Sequence, residues 1–123
     1  MRSVDASLLV GSLAGSPAAQ AFIREAGPVW VSHLVLAETV RALEGVHGRS
    51  RPRMVEALEM ILDNKDLVVE DPAVPRAALE GYRGGLDFED AMALETARKA
   101  GHLPMGTLRE DLRAVQGTLH PGA

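Results

Sequence analysis

Four short predicted strand segments, separated by longer stretches with helical periodicity, constrain the fold of this chain more than any other feature. The segments predict strands at residues 3–5, 29–31, 67–69 and 103–105. Between them apolar residues recur three and four positions apart, which is typical of helices. Strands that alternate with helices form βαβ units and a parallel sheet. The sequence therefore predicts an α/β fold, a three-layer α/β/α sandwich whose short-stranded parallel sheet is covered on both faces.

Turn and capping residues predict where the helices begin and end. A compact helical turn is expected at 8–10, and Ser16 and Ser32 precede helices that run to about residues 25 and 44. Further helices are predicted from residue 51, over 72–82, over 86–101 and over about 109–115. Residues 118–123 are expected to be a loose tail. With no long linker or repeat, residues 1–123 are predicted to form one domain.

The composition excludes several kinds of site. A chain without cysteine has no disulfide, zinc–cysteine site or thiol nucleophile, and it suits a reducing cytoplasm, which is the predicted location. Aromatic residues make up only 3%, which argues against aromatic platforms for stacking bases. No apolar run approaches ~20 residues, so no membrane segment is predicted. The net charge of −4 argues against simple electrostatic adhesion to nucleic acid, unless a basic patch or a bound cation offsets it.

The predicted helix at 86–101 carries a carboxylate in an unusual position. Asp87 is placed to cap its first turn, and Gly101 to end it in the left-handed conformation. Ala93, Leu94, Ala97 and Ala100 share one face, and Asp90 falls in the middle of it. A carboxylate that points toward a core needs a partner, because an unpaired buried charge is very costly.

Two other acids are candidates for the same site. Asp5 ends the first predicted strand, and Glu38 lies between Leu34 and Ala42 on the helix after the second strand. Sites in parallel sheets form at the carboxyl ends of strands, so Asp5, Glu38 and Asp90 are expected to converge. Clustered carboxylates with no His or Cys among them favour Mg²⁺ or Mn²⁺. Such an ion can activate water for phosphodiester cleavage.

Each acid also has a structural explanation. Asp5 is placed to be a simple strand-end cap, and Glu38 to be the partner of a buried arginine. At its position Asp87 is better explained as a helix N-cap than as a metal ligand. The joint placement of Asp5, Glu38 and Asp90 is what favours the metal site.

Four segments resemble the motifs of the PIN-domain family. They are Val4-Asp5-Ala6-Ser7-Leu8-Leu9-Val10, then Leu36-Ala37-Glu38, then Leu86-Asp87-Phe88-Glu89-Asp90-Ala91, and finally 104–112, which includes Thr107. The third segment is the most specific, and the resemblance spans essentially the whole chain in the right order. Length and layout are most similar to the VapC-type toxins of bacterial toxin–antitoxin pairs.

The resemblance implies a Mg²⁺- or Mn²⁺-dependent endoribonuclease that hydrolyses RNA with metal-activated water. It further implies a homodimer and neutralisation by a VapB-type antitoxin. It places metal binding and catalysis on Asp5, Glu38 and Asp90, and it makes Ser7 and Thr107 supporting hydroxyls near the metal or its water.

The chain departs from the family pattern at Arg109. In the family, the fourth motif usually carries an Asp two residues after its Thr, and here that position is Arg109. A fixed positive charge beside a divalent cation weakens metal binding. Alternatively, Arg109 contacts the RNA phosphate directly, a geometry that suits arginine. A second function class therefore stays open, a catalytically weakened PIN-like module that binds RNA or a protein. A phospho-receiver domain fits poorly, because no acidic pair follows the first strand.

Basic residues cluster around the loop after the Glu38 helix. We interpret them either as a solvated surface or as a contact for RNA phosphate or an acidic antitoxin segment. The cluster consists of Arg41, His47, Arg49, Arg51 and Arg53.

Overall fold

The computed structural model describes residues 1–122, over which the chain forms six α-helices, one short 3-10 helix and five strands. The helices are α1 (Ala6–Leu13), α2 (Pro17–Ala26), α3 (His33–Gly45), α4 (Arg51–Asp63), α5 (Ala73–Arg83) and α6 (Phe88–Ala100). The strands are β1 (Arg2–Ser3), β2 (Val29–Val31), β3 (Leu67–Val69), β4 (Met105–Gly106) and β5 (Thr118–Leu119). The alternation of strands with helices confirms the predicted α/β fold.

The main sheet has the order β1-β2-β3, and both pairings are parallel. Two helices connect each strand of this sheet to the next and so form the crossover that parallel pairing requires. Val29 pairs with Leu67, and Val31 with Val69, so the carboxyl ends of the strands meet at one edge. Asp5 follows β1 at this edge, which places the first candidate acid where the strand pattern predicts it.

Cover of the main sheet is uneven. Val29 and Val31 are fully buried, whereas Trp30 and Val68, which are paired across β2 and β3, are each 39% exposed. Both residues of β1 are exposed as well, so the expectation of a sheet covered on both faces holds at the centre of one face and in part for the other.

The carboxyl-terminal part of the chain differs from the prediction. The fourth strand forms at Met105–Gly106 and pairs in parallel with β5 in a separate two-stranded sheet. The expected loose tail therefore begins with an ordered strand, while Ala123 lies outside the described residues. Instead of a helix at 109–115 there is a 3-10 helix at Glu110–Leu112. The Thr118 hydroxyl lies 2.7 Å from the carbonyl oxygen of Leu112 and 2.8 Å from that of Val115, so its single proton is shared between them. This contact holds the turn that brings the chain back toward β4.

The core stripe of α3 was predicted correctly, whereas the buried face of α6 was not. Leu36, Val40 and Leu43 of α3 are at most 2% exposed, as their spacing predicts. In α6 the buried residues are Phe88, Ala91, Met92 and Leu94, whereas Ala93 and Ala100 are exposed. The large side chains Phe88 and Met92 bury more apolar area than alanine, so they decide how the helix is rotated.

Over residues 1–122, no single helix is long and apolar enough to cross a membrane. Helices α1 and α2 reach the necessary length and composition only together, as a pair bent by 112°.

Candidate active site

Asp5 occupies the N-cap of α1, and local hydrogen bonds engage its carboxylate. Oδ1 accepts from the backbone N–H of Leu8 at 3.0 Å and from the Ser7 hydroxyl at 2.7 Å. The first bond satisfies one of the free N–H groups of the helix start. The Ser7 hydroxyl, followed by the Leu8 N–H, holds the pKa of Asp5 below its ordinary value. Ser7 thus supports Asp5 directly, and Asp5 has the cap role that was its alternative explanation.

We expect the Asp5 carboxyl to titrate below the range of an unstructured aspartate, and Ser7→Ala to raise its pKa. Because the folded-state pKa is depressed, the stabilisation from this cap is fully present above about pH 3.9. It is lost as the pH falls through the folded-state pKa. NMR titration of the Asp5 carboxyl carbon tests this, with Ser12→Ala on the same helix as the control. An Asp5 pKa that is the same in Ser7→Ala as in the wild type would contradict the assignment.

The partner of Asp90 is Arg109. Nη1 of Arg109 lies 2.8 Å from both carboxylate oxygens of Asp90. The Asp90 side chain is 19% exposed and that of Arg109 is 52% exposed, so the pair lies at the boundary between interior and solvent. Asp90 is in the first turn of α6, where the helix dipole also favours an anion. The partner that the sequence required is therefore a cation supplied by this chain.

Arg109 is held between two carboxylates. Its Nε lies 3.1 Å from Oδ1 of Asp111 and its Nη2 lies 2.6 Å from Oδ2, a two-pronged contact. These bonds, with the contact to Asp90, raise the pKa of Arg109, while Arg109 lowers the pKa of Asp111. The backbone N–H of Arg109 donates to the Thr107 hydroxyl oxygen at 3.1 Å. Thr107 therefore positions the backbone that carries the guanidinium.

Glu38 lies on an exposed part of α3. It lines an open surface hollow with Ala6, the residue after Asp5, and with Arg41. Leu34, one turn before it, is 69% exposed, so the stripe that contains Glu38 faces outward. The position of Glu38 between Leu34 and Ala42 therefore does not bury it, because Leu36 and Val40 form the buried face of the helix.

Asp87 has the predicted N-cap backbone position but not the predicted hydrogen bond. Its carbonyl accepts the first helical bond, from Ala91 at 3.0 Å, but its side chain makes no capping bond to α6. The carboxylate instead lines a hollow between α3 and α6 together with Arg41 and Glu44. The first turn of α6 gains its negative charge from Glu89 and Asp90.

A buried cluster that the sequence analysis missed holds the start of α6. Nη1 of Arg51 donates to the carbonyls of Tyr82 at 2.7 Å and Leu86 at 2.8 Å, and its guanidinium lies 4.2 Å from the centre of the Tyr82 ring. The Tyr82 hydroxyl donates to Glu44 at 2.5 Å, and burial followed by this bond raises the pKa of Tyr82. The cluster joins α3, α4 and the turn before α6. It therefore fixes the segment on which Asp87 and Asp90 lie.

Most of the predicted basic cluster is engaged in contacts within the fold. Arg41 pairs with Glu89 of α6, and Arg49 donates to the carbonyl of Leu13 at 3.0 Å. Arg51 binds the two carbonyls described above. These three residues therefore have structural roles, which favours the interpretation that this part of the surface does not contact RNA phosphate.

The candidate acids have the right chemistry for Mg²⁺ or Mn²⁺, but their arrangement does not fit a resident divalent ion. Among the side chains of residues 1–122, no group of three or more His, Cys, Asp or Glu is placed to hold a metal. Both oxygens of Asp90 accept from Arg109, whose positive charge opposes a second cation at the same carboxylate.

Comparison with known proteins identifies one family. A family model described as PIN domain matches residues 3–115, which is most of the chain. No curated protein and no solved structure gives a significant match. The matched range includes Asp5, Glu38, Asp90 and Arg109.

Proposed function

Since the chain belongs to the PIN-domain family, a family of metal-dependent nucleases, we propose that it is an endoribonuclease of the VapC toxin type. Its substrate is RNA, its activity requires added Mg²⁺ or Mn²⁺, and its activity is low because Arg109 engages Asp90. Its protein partners are a second copy of the chain and a VapB-type antitoxin.

One observation carries the nuclease proposal. Asp5, Glu38 and Asp90, which resemble the acids of three PIN motifs, lie on elements that pack against one another. Helix α1, which Asp5 caps, packs on α3, and α3 packs on α6. Within residues 1–122, Asp90 is the one acid of the three that pairs with a cation, so we assign the proposed site to the region around Asp90 and treat Asp5 and Glu38 as its proposed companions.

RNA cleavage tests the proposal. Structured RNA is incubated with wild type, Asp90→Asn and Asp63→Asn, each with Mn²⁺, with Mg²⁺ and with a chelator. Asp63 is a matched control, because it also pairs with an arginine, Arg76, but lies at the end of α4. We expect slow metal-dependent cleavage by wild type and by Asp63→Asn, and none by Asp90→Asn. Equal cleavage by Asp90→Asn, or no cleavage by wild type with either metal, would contradict a nuclease centred on Asp90.

The Arg109–Asp90 contact favours a second candidate, a PIN-like module that binds RNA or a protein without cleaving RNA. Arg109 is 52% exposed, and its guanidinium suits a phosphate as well as a carboxylate. This candidate predicts RNA binding by wild type that weakens in Arg109→Gln, together with no turnover in either metal. Turnover by wild type excludes it.

The toxin role is tested in cells. Expression of wild type in a bacterial host is expected to arrest growth, and Asp90→Asn to relieve the arrest. Equal growth of cells that express either protein, at matched protein levels, would contradict the toxin role while leaving the nuclease test in vitro unaffected.

A further inference from the structure

One cation and two carboxylates form a compact group at the start of α6. Arg109 contacts both oxygens of Asp90 through Nη1, and both oxygens of Asp111 through Nε and Nη2. All four contacts lie between 2.6 and 3.1 Å. Every nitrogen of the guanidinium therefore donates to a carboxylate, and Asp90 and Asp111 share its single positive charge.

From this geometry we infer that the Arg109 guanidinium is the resident cation of the acidic site and competes with a divalent metal for Asp90. The inference rests on the proposed function only in taking Asp90 as the centre of the site. It accounts for the lack of a metal-binding group around Asp90 within residues 1–122, since the guanidinium already contacts both oxygens of Asp90 and offsets one of the two carboxylate charges of this group.

The backbone keeps the guanidinium in place. The N–H of Arg109 donates to the Thr107 hydroxyl oxygen, and its carbonyl accepts from the N–H of Leu112 at 3.3 Å. The N–H of Thr107 in turn donates to the carbonyl of Leu119 at 2.9 Å, next to the β4–β5 pairing. Arg109 is therefore presented to Asp90 by an ordered segment. A metal that binds Asp90 has to displace a preorganised donor and to tolerate its charge nearby.

Direct Mn²⁺ binding tests the inference without reference to RNA cleavage. Isothermal titration calorimetry with Mn²⁺ alone is carried out on wild type, Arg109→Gln and Arg109→Asp. We expect Arg109→Asp to bind Mn²⁺ at least about tenfold more tightly than wild type, with the affinity of Arg109→Gln between the two. Glutamine removes the positive charge beside Asp90, and aspartate replaces it with a negative charge that attracts the metal. In the double variant Arg109→Asp/Asp90→Asn, we expect the gain to disappear.

Arg113→Asp is the matched control. Arg113 is 43% exposed, pairs with Glu110 and lies four residues beyond Arg109, so its replacement changes the net charge by the same amount. We expect its Mn²⁺ affinity to equal that of wild type. Equal gains in Arg113→Asp and Arg109→Asp would overturn the inference, since the effect would then be one of net charge. Equal Mn²⁺ affinity of wild type, Arg109→Gln and Arg109→Asp would overturn it as well, provided that circular dichroism shows the variants folded.

The outcomes separate this inference from the proposed function. If Arg109→Asp binds Mn²⁺ tightly through Asp90 but neither it nor wild type cleaves RNA, the inference holds and the nuclease proposal fails. If wild type cleaves RNA and binds Mn²⁺ as tightly as Arg109→Asp, the nuclease proposal holds and the inference fails.

Discussion

Phe88→Ala is expected to lower the free energy of unfolding by about 3–5 kcal/mol. Phe88 is 1% exposed at the first position of α6, and its ring meets the Tyr82 ring edge to face, at 84° with the centroids 5.9 Å apart. The substitution removes buried apolar area, leaves a cavity and breaks an aromatic pair. Urea unfolding followed by circular dichroism measures the difference.

Phe22→Ala is the matched control, because Phe22 is the other phenylalanine of the chain. It is half-buried on α2, with the Arg2 guanidinium 5.9 Å from the centre of its ring. Since less of its area is buried, we expect a loss of about 1–2 kcal/mol. Equal losses for the two variants would show that Phe88 does not anchor the start of α6.

Arg51→Met is expected to lower the free energy of unfolding by about 2–4 kcal/mol. Methionine keeps much of the length of the side chain but removes the donors for the carbonyls of Tyr82 and Leu86 and the stacking on the Tyr82 ring. Both bonds are partly buried, so the loss of the charged donor removes this partner from the Leu86 carbonyl and leaves the Tyr82 carbonyl with the N–H of Gly85 at 3.1 Å. Thermal and urea unfolding measure the effect.

Arg53→Met controls for the loss of a charge from the same helix. Arg53 is exposed, and substitutions at such positions usually change stability by no more than about 0.5 kcal/mol. We also expect Arg51→Met to speed amide hydrogen exchange at residues 86–91, because the turn before α6 loses its tether. Unchanged exchange in this segment would mean that Arg51 stabilises the fold without positioning Asp90.

Patterns among residues close in the sequence predicted the positions of strands and the ends of helices well. The strand positions 29–31 and 67–69 were predicted correctly, as was the stop of α6 at Gly101, which has φ of 82°. Ser16 and Ser32 cap α2 and α3 by accepting from the backbone N–H three residues on. These features depend on a few adjacent residues, so a pattern in the sequence is sufficient to identify them.

Predictions that depended on packing were less successful. In α6, alanines gave an apolar stripe in the sequence, but the larger Phe88 and Met92 determine which face is buried. In α3, Glu38 is exposed because the helix is rotated to bury Leu36 and Val40. The segment after β4 lacks the expected helix, since Thr118 binds carbonyls there and the chain returns to form β5. In α3 and α6 the packing against other elements decides which face is buried, and after β4 the pairing with β5 takes the place of the expected helix.

The sequence by itself determined the α/β alternation, the resemblance to PIN domains, and the fact that Asp90 requires a partner. It also singled out Arg109 as the position that departs from the family pattern. Only the tertiary structure decided that these two residues, 19 positions apart, meet. Helical periodicity placed Asp90 among apolar residues of its helix, but the position of Arg109 depends on how the β4–β5 segment returns to α6. The partner of the carboxylate is therefore a property of the fold rather than of the helix that carries it.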